Sequence, residues 1–128
     1  MKIIHIIPTL GLGGAEKFLV DLSNELSKNH EVIIYSLFDI TDDMFFAKNI
    51  HSNVDVVTFS KKSGLDISVF FKIFRALKKD KPDVINTHLR GLYYSILAII
   101  FLKPNCFHTV HSLATKEASF VFRLVYWV

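Results

Sequence analysis

Apolar residues follow two patterns along this chain: short continuous runs typical of buried strands, and spacings of three to four residues typical of amphipathic helices. The continuous runs predict five strands, at Lys2–Ile7, Glu31–Ser36 and residues 54–59, 83–87 and 106–110. The helical spacings predict helices that begin near Ala15 and near Thr115, and two more at residues 67–79 and 92–102. Residues 41–49 are interpreted as a short helix capped by Thr41 or Asp42.

Strands that alternate with helices over short connections predict parallel β-α-β units with right-handed crossovers. We therefore expect an α/β fold with a doubly wound, Rossmann-like parallel sheet, formed by residues 1–128 as a single domain. Ligands of such sheets bind at the carboxyl ends of the strands. Three features fall at such ends: the glycine-rich turn after the first strand, His88 after the fourth and His111 after the fifth.

The glycine-rich turn lies within the segment HIIPTLGLGGAEKFLVDLSNEL, between the first strand and the first helix. We expect Gly11, Gly13 and Gly14 to allow a tight turn and a close approach of the backbone to a ligand. The unpaired amide groups and the dipole of the following helix favour an anion such as a phosphate. An ordinary turn from strand to helix is an equally open interpretation.

Composition narrows the class of protein and of ligand. The hydrophobic fraction of 51% and a mean hydropathy of +0.36 exclude a disordered chain. A net charge of +3 suits anionic ligands but is too small to indicate nucleic acid, which we do not expect as a partner. The lone Cys106 excludes an internal disulfide and is interpreted as a core residue, and no zinc-ligand spacing occurs, so no metal is expected.

The apolar segments are too short or too interrupted to predict a membrane span. Residues 92–102 would cover only about 16 Å as a helix, against a hydrocarbon core of about 30 Å. The first apolar run is interrupted by His5 and Pro8, which is unlike a secretory leader, so we expect a cytoplasmic protein. The apolar run at residues 120–128 ends without a helix stop signal, which suggests a truncated reading frame or a surface covered by more protein.

The segment 67–79 combines phenylalanines with lysines and so has two interpretations. The predicted sheet-facing stripe consists of Ile67, Phe70, Phe71, Phe74 and Leu77. The basic residues on the other faces are Lys72, Arg75, Lys78 and Lys79. The favoured interpretation is an ordinary crossover helix with a solvated basic face. The alternative is peripheral contact with the anionic inner face of a membrane.

Four motifs in order carry a family resemblance: GGAE in the glycine-rich turn, HEVIIYS at the second strand, PDVINTH at the fourth and TVHS at the fifth. With these motifs the chain resembles the N-terminal half of a retaining, GT-B-fold glycosyltransferase of family 4. The resemblance implies transfer of a sugar from a nucleotide-sugar to a glycan or lipid-linked acceptor, in cell-surface polysaccharide or lipopolysaccharide assembly. It implies a metal-independent reaction without a further cofactor, and a C-terminal donor-binding domain that these residues lack, so the chain resembles a truncated enzyme.

The same resemblance assigns roles to individual residues. It implies that Gly13 and Gly14 line an inter-domain cleft near the donor diphosphate or the acceptor, and that Glu16 opens the adjoining helix as a further binding residue. It makes His111 the catalytic residue near the transferred sugar and His88 a substrate or phosphate ligand. For His88, however, a hydrogen-bonded structural role is the favoured interpretation, and His5 is predicted to be a satisfied core histidine.

Two other functions remain as alternatives. A dinucleotide-binding oxidoreductase domain would need a third fingerprint glycine where this chain has Glu16, whose carboxylate repels pyrophosphate. The other alternative is a non-catalytic fragment or an accessory module.

Overall fold

In the computed structural model, which describes residues 1–111, five strands alternate with three α-helices. The elements are, in chain order, β1 (Lys2–Ile7), α1 (Gly14–Leu26), β2 (Glu31–Ser36), a short 3-10 helix (Phe45–Asn49), β3 (Val54–Thr58), α2 (Ile67–Asp80), β4 (Val84–His88), α3 (Gly91–Leu102) and β5 (Asn105–Thr109). The helix predicted near Thr115 and the apolar run at 120–128 lie outside the described residues.

All five strands form one parallel sheet in the order β3-β2-β1-β4-β5. The chain builds the sheet outward from β1 to β3, crosses back over it through α2, and continues from β4 to β5. The direction of building reverses between β1 and β4, which makes their carboxyl ends the topological switch point of the sheet. The predicted α/β, doubly wound, Rossmann-like fold is therefore confirmed.

β1 lies in the middle of the sheet and is covered on both faces, because its residues 3–7 are all buried. Ile4 and Ile6 pack in a cluster with residues of α2 and α3, whereas Ile7 packs in a second cluster with Leu19 and Val20 of α1. Successive side chains of a strand point to opposite faces, so His5 shares the face of Ile7, on the side of α1.

Most predicted boundaries agree with the structure to within a residue or two, with one local error. The segment 41–49 forms a helix only at Phe45–Asn49, and its first turn is preceded by Met44, without a side-chain cap from Thr41 or Asp42. β4 is shifted by one residue from its predicted position, so His88 is the last residue of the strand and does not follow it.

The buried face of α2 differs from the predicted stripe. Val69, Ile73 and Leu77 are the buried residues, at spacings of four, whereas Ile67 and Phe71 are 63% and 53% exposed. Phe70 and Phe74 are partly buried at the edge of the core. The prediction was therefore right for Leu77 and in part for Phe70 and Phe74, and wrong for Ile67 and Phe71. Apolar residues occur around most of the circumference of this segment, and only the docking of α2 on the sheet decides which of them are covered.

The start of α3 is pressed against β1 at Gly91, where a Cβ atom would overlap with the backbone carbonyl oxygen of Ile6. We expect Gly91→Ala to lower the free energy of unfolding by about 1 to 3 kcal/mol, because backbone on both sides of the contact must move. Gly14→Ala is the matched control, since a Cβ there meets nothing within 4 Å and alanine favours a helix. Thermal unfolding of both variants tests this, and equal melting temperatures would contradict it.

Candidate functional site

Gly14 and His111 line one cleft of about 590 Å³ at the carboxyl edge of the sheet, whereas the predicted binding residues Gly13 and Glu16 are not among its lining residues. The cleft lies between the first turn of α1 and the residues that follow β5, and its lining comprises Gly14, Ala15, Phe18, Thr109, Val110 and His111. The start of α1 and the segment after β5 are almost a hundred residues apart in sequence but lie together. This agrees with the expectation that the carboxyl ends of parallel strands meet at one edge of the sheet. Their roles in binding and catalysis stay predictions.

The glycines of the turn have no left-handed backbone conformation, although residues 11–13 form the predicted bend. Gly13 precedes α1 with φ −175° and ψ 163°, an extended conformation that any residue adopts. Within residues 1–111, Gly64 is the only glycine with a positive φ. None of the glycines of this turn has a left-handed conformation, and a Cβ atom would overlap with another residue only at Gly13.

The space beside the backbone is occupied differently at the two glycines next to the helix. A Cβ atom at Gly13 would overlap with the Glu16 carboxylate, whereas a Cβ at Gly14 would meet nothing within 4 Å. Glu16 is 9% exposed and is the acidic residue of the first helical turn, where its charge complements the helix dipole. A carboxylate in this place accepts hydrogen bonds, which suits a hydroxyl group better than a phosphate.

His88 lies beneath the cleft and is fully buried. Its Nδ1 atom lies 2.9 Å from Nε2 of His111, and its Nε2 atom lies 3.2 Å from Nδ1 of His5. Burial leaves His88 no surface toward the cleft, so a direct contact with substrate or phosphate has no support in this arrangement. The predicted structural role of His88 fits this geometry.

His5 is buried as predicted, but it is not fully satisfied. Its Nε2 atom is enclosed and has no hydrogen-bond partner among residues 1–111. Burial lowers the pKa of His5 from 6.5 to about 4. Burial, together with the neighbouring His5, His111 and His108, lowers the pKa of His88 to about 3. Both rings are therefore neutral at physiological pH.

Sequence reasoning did not single out Phe18, an aromatic residue that covers the histidines. Its ring centroid lies 5.6 Å from that of His111 and 6.5 Å from that of His88. Phe18 is 45% exposed, so it forms part of the cleft wall as well as a cover for His88. The only sequence signal for this role was an aromatic residue near the start of a helix that follows a glycine-rich turn.

A second cleft, of about 480 Å³, opens on the same edge of the sheet, and sequence reasoning missed it. Its lining includes residues that follow β1, β2 and β3 and residues at the start of α3, among them Pro8, Phe38, Lys61, Arg90, Tyr93 and Tyr94. The Lys61 ammonium lies 4.9 Å from the ring centroid of Phe38 and 5.3 Å from that of Tyr94. This cleft therefore combines aromatic faces with two cationic side chains.

Other predicted features bear less on the site. No group of three metal-binding side chains suited to an ion occurs in residues 1–111. Cys106 is partly buried against the core, and burial raises the pKa of its thiol, which fits the interpretation as a core residue. None of the helices described is both long and apolar enough to cross a bilayer.

Comparison with known proteins agrees with the resemblance found in the motifs. The family described as Glycosyltransferase Family 4 matches residues 12–128. The chain belongs to glycosyltransferase family 4. The match includes Gly13, Gly14, His88 and His111, so this family 4 chain carries these predicted site residues within the matched region.

Two individual proteins are similar to this family 4 chain. A GalNAc-alpha-(1->4)-GalNAc-alpha-(1->3)-diNAcBac-PP-undecaprenol alpha-1,4-N-acetyl-D-galactosaminyltransferase of Campylobacter jejuni is 37% identical over 90 residues, which are 66% of this chain and 24% of that protein. The structure of UDP-GlcNAc 2-epimerase from Methanocaldococcus jannaschii matches with a TM-score of 0.65 at 20% identity, over 98% of this chain and 36% of that one. The second likeness is one of fold. The chain spans about a quarter of the length of the curated relative.

The lowered pKa values of His5 and His88 predict that the sheet around them loses stability in acid. Below pH 6.5 both histidines are protonated in the unfolded chain but stay neutral in the folded one. The free energy of unfolding therefore falls as the pH falls toward 4. The expected loss between pH 7 and pH 5 is about 2 kcal/mol for each histidine. Hydrogen exchange of the β1 and β4 amides, corrected for intrinsic rates, measures this loss.

His88→Phe should remove about half of this pH dependence, because it removes one of the two neutral buried rings. Ile6→Val is the control, since it weakens the packing of the neighbouring strand β1 without removing a titrating group and should lower protection equally at both pH values. Protection that does not change between pH 7 and pH 5 in the unsubstituted protein would contradict the prediction.

Proposed function

We propose that this chain is the N-terminal, acceptor-side domain of a retaining GT-B glycosyltransferase, which transfers a sugar from a nucleotide-sugar to a glycan or lipid-linked acceptor. The observation that carries the proposal is the single cleft shared by the first turn of α1 and His111, in a chain of family 4. The proposed setting is cell-surface polysaccharide or lipopolysaccharide assembly, on the cytoplasmic side of the membrane. In this proposal a second, C-terminal domain holds most of the nucleotide.

The chemistry that this domain would supply is binding and charge stabilisation. Transfer from a nucleotide diphosphate builds negative charge on the leaving phosphate, and preorganised donors lower the barrier. Gly14 and Ala15 at the start of α1 line the same cleft as His111, so the unpaired amides of this helix end and the ring of His111 are proposed as such donors. Glu16, whose carboxylate lies against Gly13, is proposed to accept hydrogen bonds from hydroxyl groups. We propose that the reaction needs no metal or other cofactor.

The second cleft is proposed to hold the acceptor. Sugar rings pack with their apolar faces on aromatic side chains, and the partly exposed Phe38 and Tyr93 provide such faces there. Lys61 and Arg90 add positive charge that would neutralise the phosphate groups of a lipid-linked acceptor. The name of the Campylobacter relative describes an acceptor linked to undecaprenol through a PP group, which is the kind of molecule that such a cleft suits.

A surface next to this cleft is proposed to contact the membrane that carries such an acceptor. Ile67, Phe71, Arg75 and Lys78 are exposed and recur along one face of α2 at intervals of four, four and three residues. Leu65, which lines the second cleft, is 64% exposed just before this helix. Exposed apolar residues beside lysine and arginine are typical of peripheral contact with anionic lipid. We call these five residues the α2 surface.

The oxidoreductase alternative is not favoured, because the Glu16 carboxylate lies against the turn where a dinucleotide would place its pyrophosphate. A non-catalytic role remains the outcome if the following measurements fail.

We expect His111→Ala to lower kcat for sugar transfer by more than tenfold in the full-length protein, because a mispositioned substrate or a lost hydrogen bond to developing charge raises the barrier. The exposed His51→Ala is the matched control and should transfer at the rate of the unsubstituted protein. Unchanged turnover in both variants would remove His111 from the site. A loss of turnover explained fully by a lower melting temperature would assign it a structural role.

We expect Phe71→Ser to weaken binding to vesicles that contain anionic phospholipid by about tenfold or more, since burial of one phenylalanine is worth about 1.5 to 3 kcal/mol. Phe45→Ser is the matched control, because Phe45 is 56% exposed on the short 3-10 helix, outside the α2 surface. Vesicle sedimentation measures both. Equal effects of the two substitutions, or none from either, would contradict membrane contact through α2.

A further inference from the structure

Three histidine rings form a continuous chain of contacts from the core to the cleft wall. The chain begins at His5 in β1, continues through His88 at the end of β4, and ends at His111 after β5. Its two contacts join Nδ1 of His5 to Nε2 of His88 at 3.2 Å and Nδ1 of His88 to Nε2 of His111 at 2.9 Å. Each contact therefore pairs a δ nitrogen with an ε nitrogen in the same order.

The neutral state of the two inner rings limits how protons can be arranged in this chain. Burial keeps His5 and His88 uncharged at physiological pH, since it lowers their pKa values to about 4 and about 3. A neutral imidazole has one N–H donor and one acceptor nitrogen. His88 must therefore donate through one of its nitrogens and accept through the other, so both hydrogen bonds run in the same direction.

The buried end of the chain decides between the two directions. If the bonds run from His111 toward His5, then His5 accepts at Nδ1 and carries its proton on Nε2, which is enclosed without a partner among the described residues. If they run from His5 toward His111, Nε2 of His5 is an acceptor and no buried N–H is left unpaired. Orphaned buried N–H groups are rarer and costlier than under-satisfied acceptors. The second direction is therefore favoured.

We propose that His88, oriented by His5, is a positioning residue that donates to Nε2 of His111 and thereby fixes His111 as the tautomer with its proton on Nδ1. Free neutral histidine prefers the opposite tautomer, with the proton on Nε2, so the chain of rings sets a state that His111 would not adopt in solution. For catalysis the inference rests on the proposed function, because a fixed tautomer defines which nitrogen of His111 can donate to a substrate oxygen.

The arrangement gives each ring a distinct reason for its position. His5 is the innermost of the three rings, and it donates a hydrogen bond to His88. In this direction Nε2 of His5 is an acceptor, so no N–H group is left unpaired in the core. His88 connects the core to the cleft without contacting the cleft itself. His111 receives a fixed hydrogen bond on one nitrogen, which also holds the orientation of its ring.

Nitrogen-15 NMR of the full-length protein with labelled histidines tests the inference directly, because protonated and unprotonated ring nitrogens have well separated shifts. We expect Nδ1–H tautomers at His5, His88 and His111 in the unsubstituted protein at neutral pH. A proton on Nε2 of His111 would mean that the chain runs the other way and would overturn the inference. This measurement needs no substitution, so it stands even if a variant fails to fold.

His88→Phe should return His111 to the Nε2–H tautomer, because the donor is lost while an aromatic ring remains in the core. Ile6→Val is the matched control: it perturbs the packing of β1 and should leave the tautomer of His111 unchanged. An Nδ1–H tautomer that persists in His88→Phe would overturn the inference. With the tautomer changed, we expect kcat for transfer to fall about tenfold while KM for the nucleotide-sugar changes less than twofold.

The two readouts separate this inference from the proposed function. If His88→Phe changes the tautomer and both His88→Phe and His111→Ala retain full transfer, the chain of rings stands and the catalytic role of His111 is wrong. If His111→Ala abolishes transfer while His88→Phe changes the tautomer without loss of kcat, the proposed function stands and the positioning role of His88 is wrong.

Discussion

The burial of β1 on both faces is the constraint on which the rest of the structure depends. A central strand of a parallel sheet needs apolar side chains toward both helix layers, and the run from Ile3 to Ile7 meets this need with one exception. The exception is His5, a polar ring that the strand encloses almost completely. It can remain there because burial keeps it neutral and because His88 offers its δ nitrogen a partner.

From that central strand the positions of both clefts follow. The reversal of strand order between β1 and β4 leaves the sheet uncovered at their carboxyl ends, and the chain segments that follow these strands form the walls. One cleft lies on the side of α1, with His111 in its wall, and the other lies beside the start of α3, with Lys61 and Arg90. Gly91 permits this geometry, because a larger residue would press α3 away from β1.

In the proposed function, the two clefts and the α2 surface have separate roles in a family 4 chain. A lipid-linked acceptor has an apolar anchor, a charged phosphate linkage and a sugar. The α2 surface would contact the lipid around the anchor, the cationic side chains of the second cleft would contact the phosphates, and its aromatic rings would contact the sugar. The cleft at His111 has a different lining, with the start of α1 and an imidazole that contacts His88, and is proposed to serve the transfer step. The two clefts lie close together because the strands of a parallel α/β fold all end at one edge of the sheet.

The sequence by itself determined the fold class, nearly all element boundaries and the convergence of the glycine-rich turn with His111, because these depend on local periodicity and on the rule that parallel strands end at one edge. It also indicated the family, through motifs in a fixed order. Only the tertiary structure decided that Ile67 and Phe71 are exposed, that Glu16 lies against Gly13, and that His5, His88 and His111 touch. The exposed face of α2 and the histidine contacts depend on which faces dock and on pairs of residues more than twenty positions apart, and periodicity along a chain contains no information about either. The Glu16 contact is local, but it depends on the side-chain conformation of Glu16, which the sequence pattern does not specify.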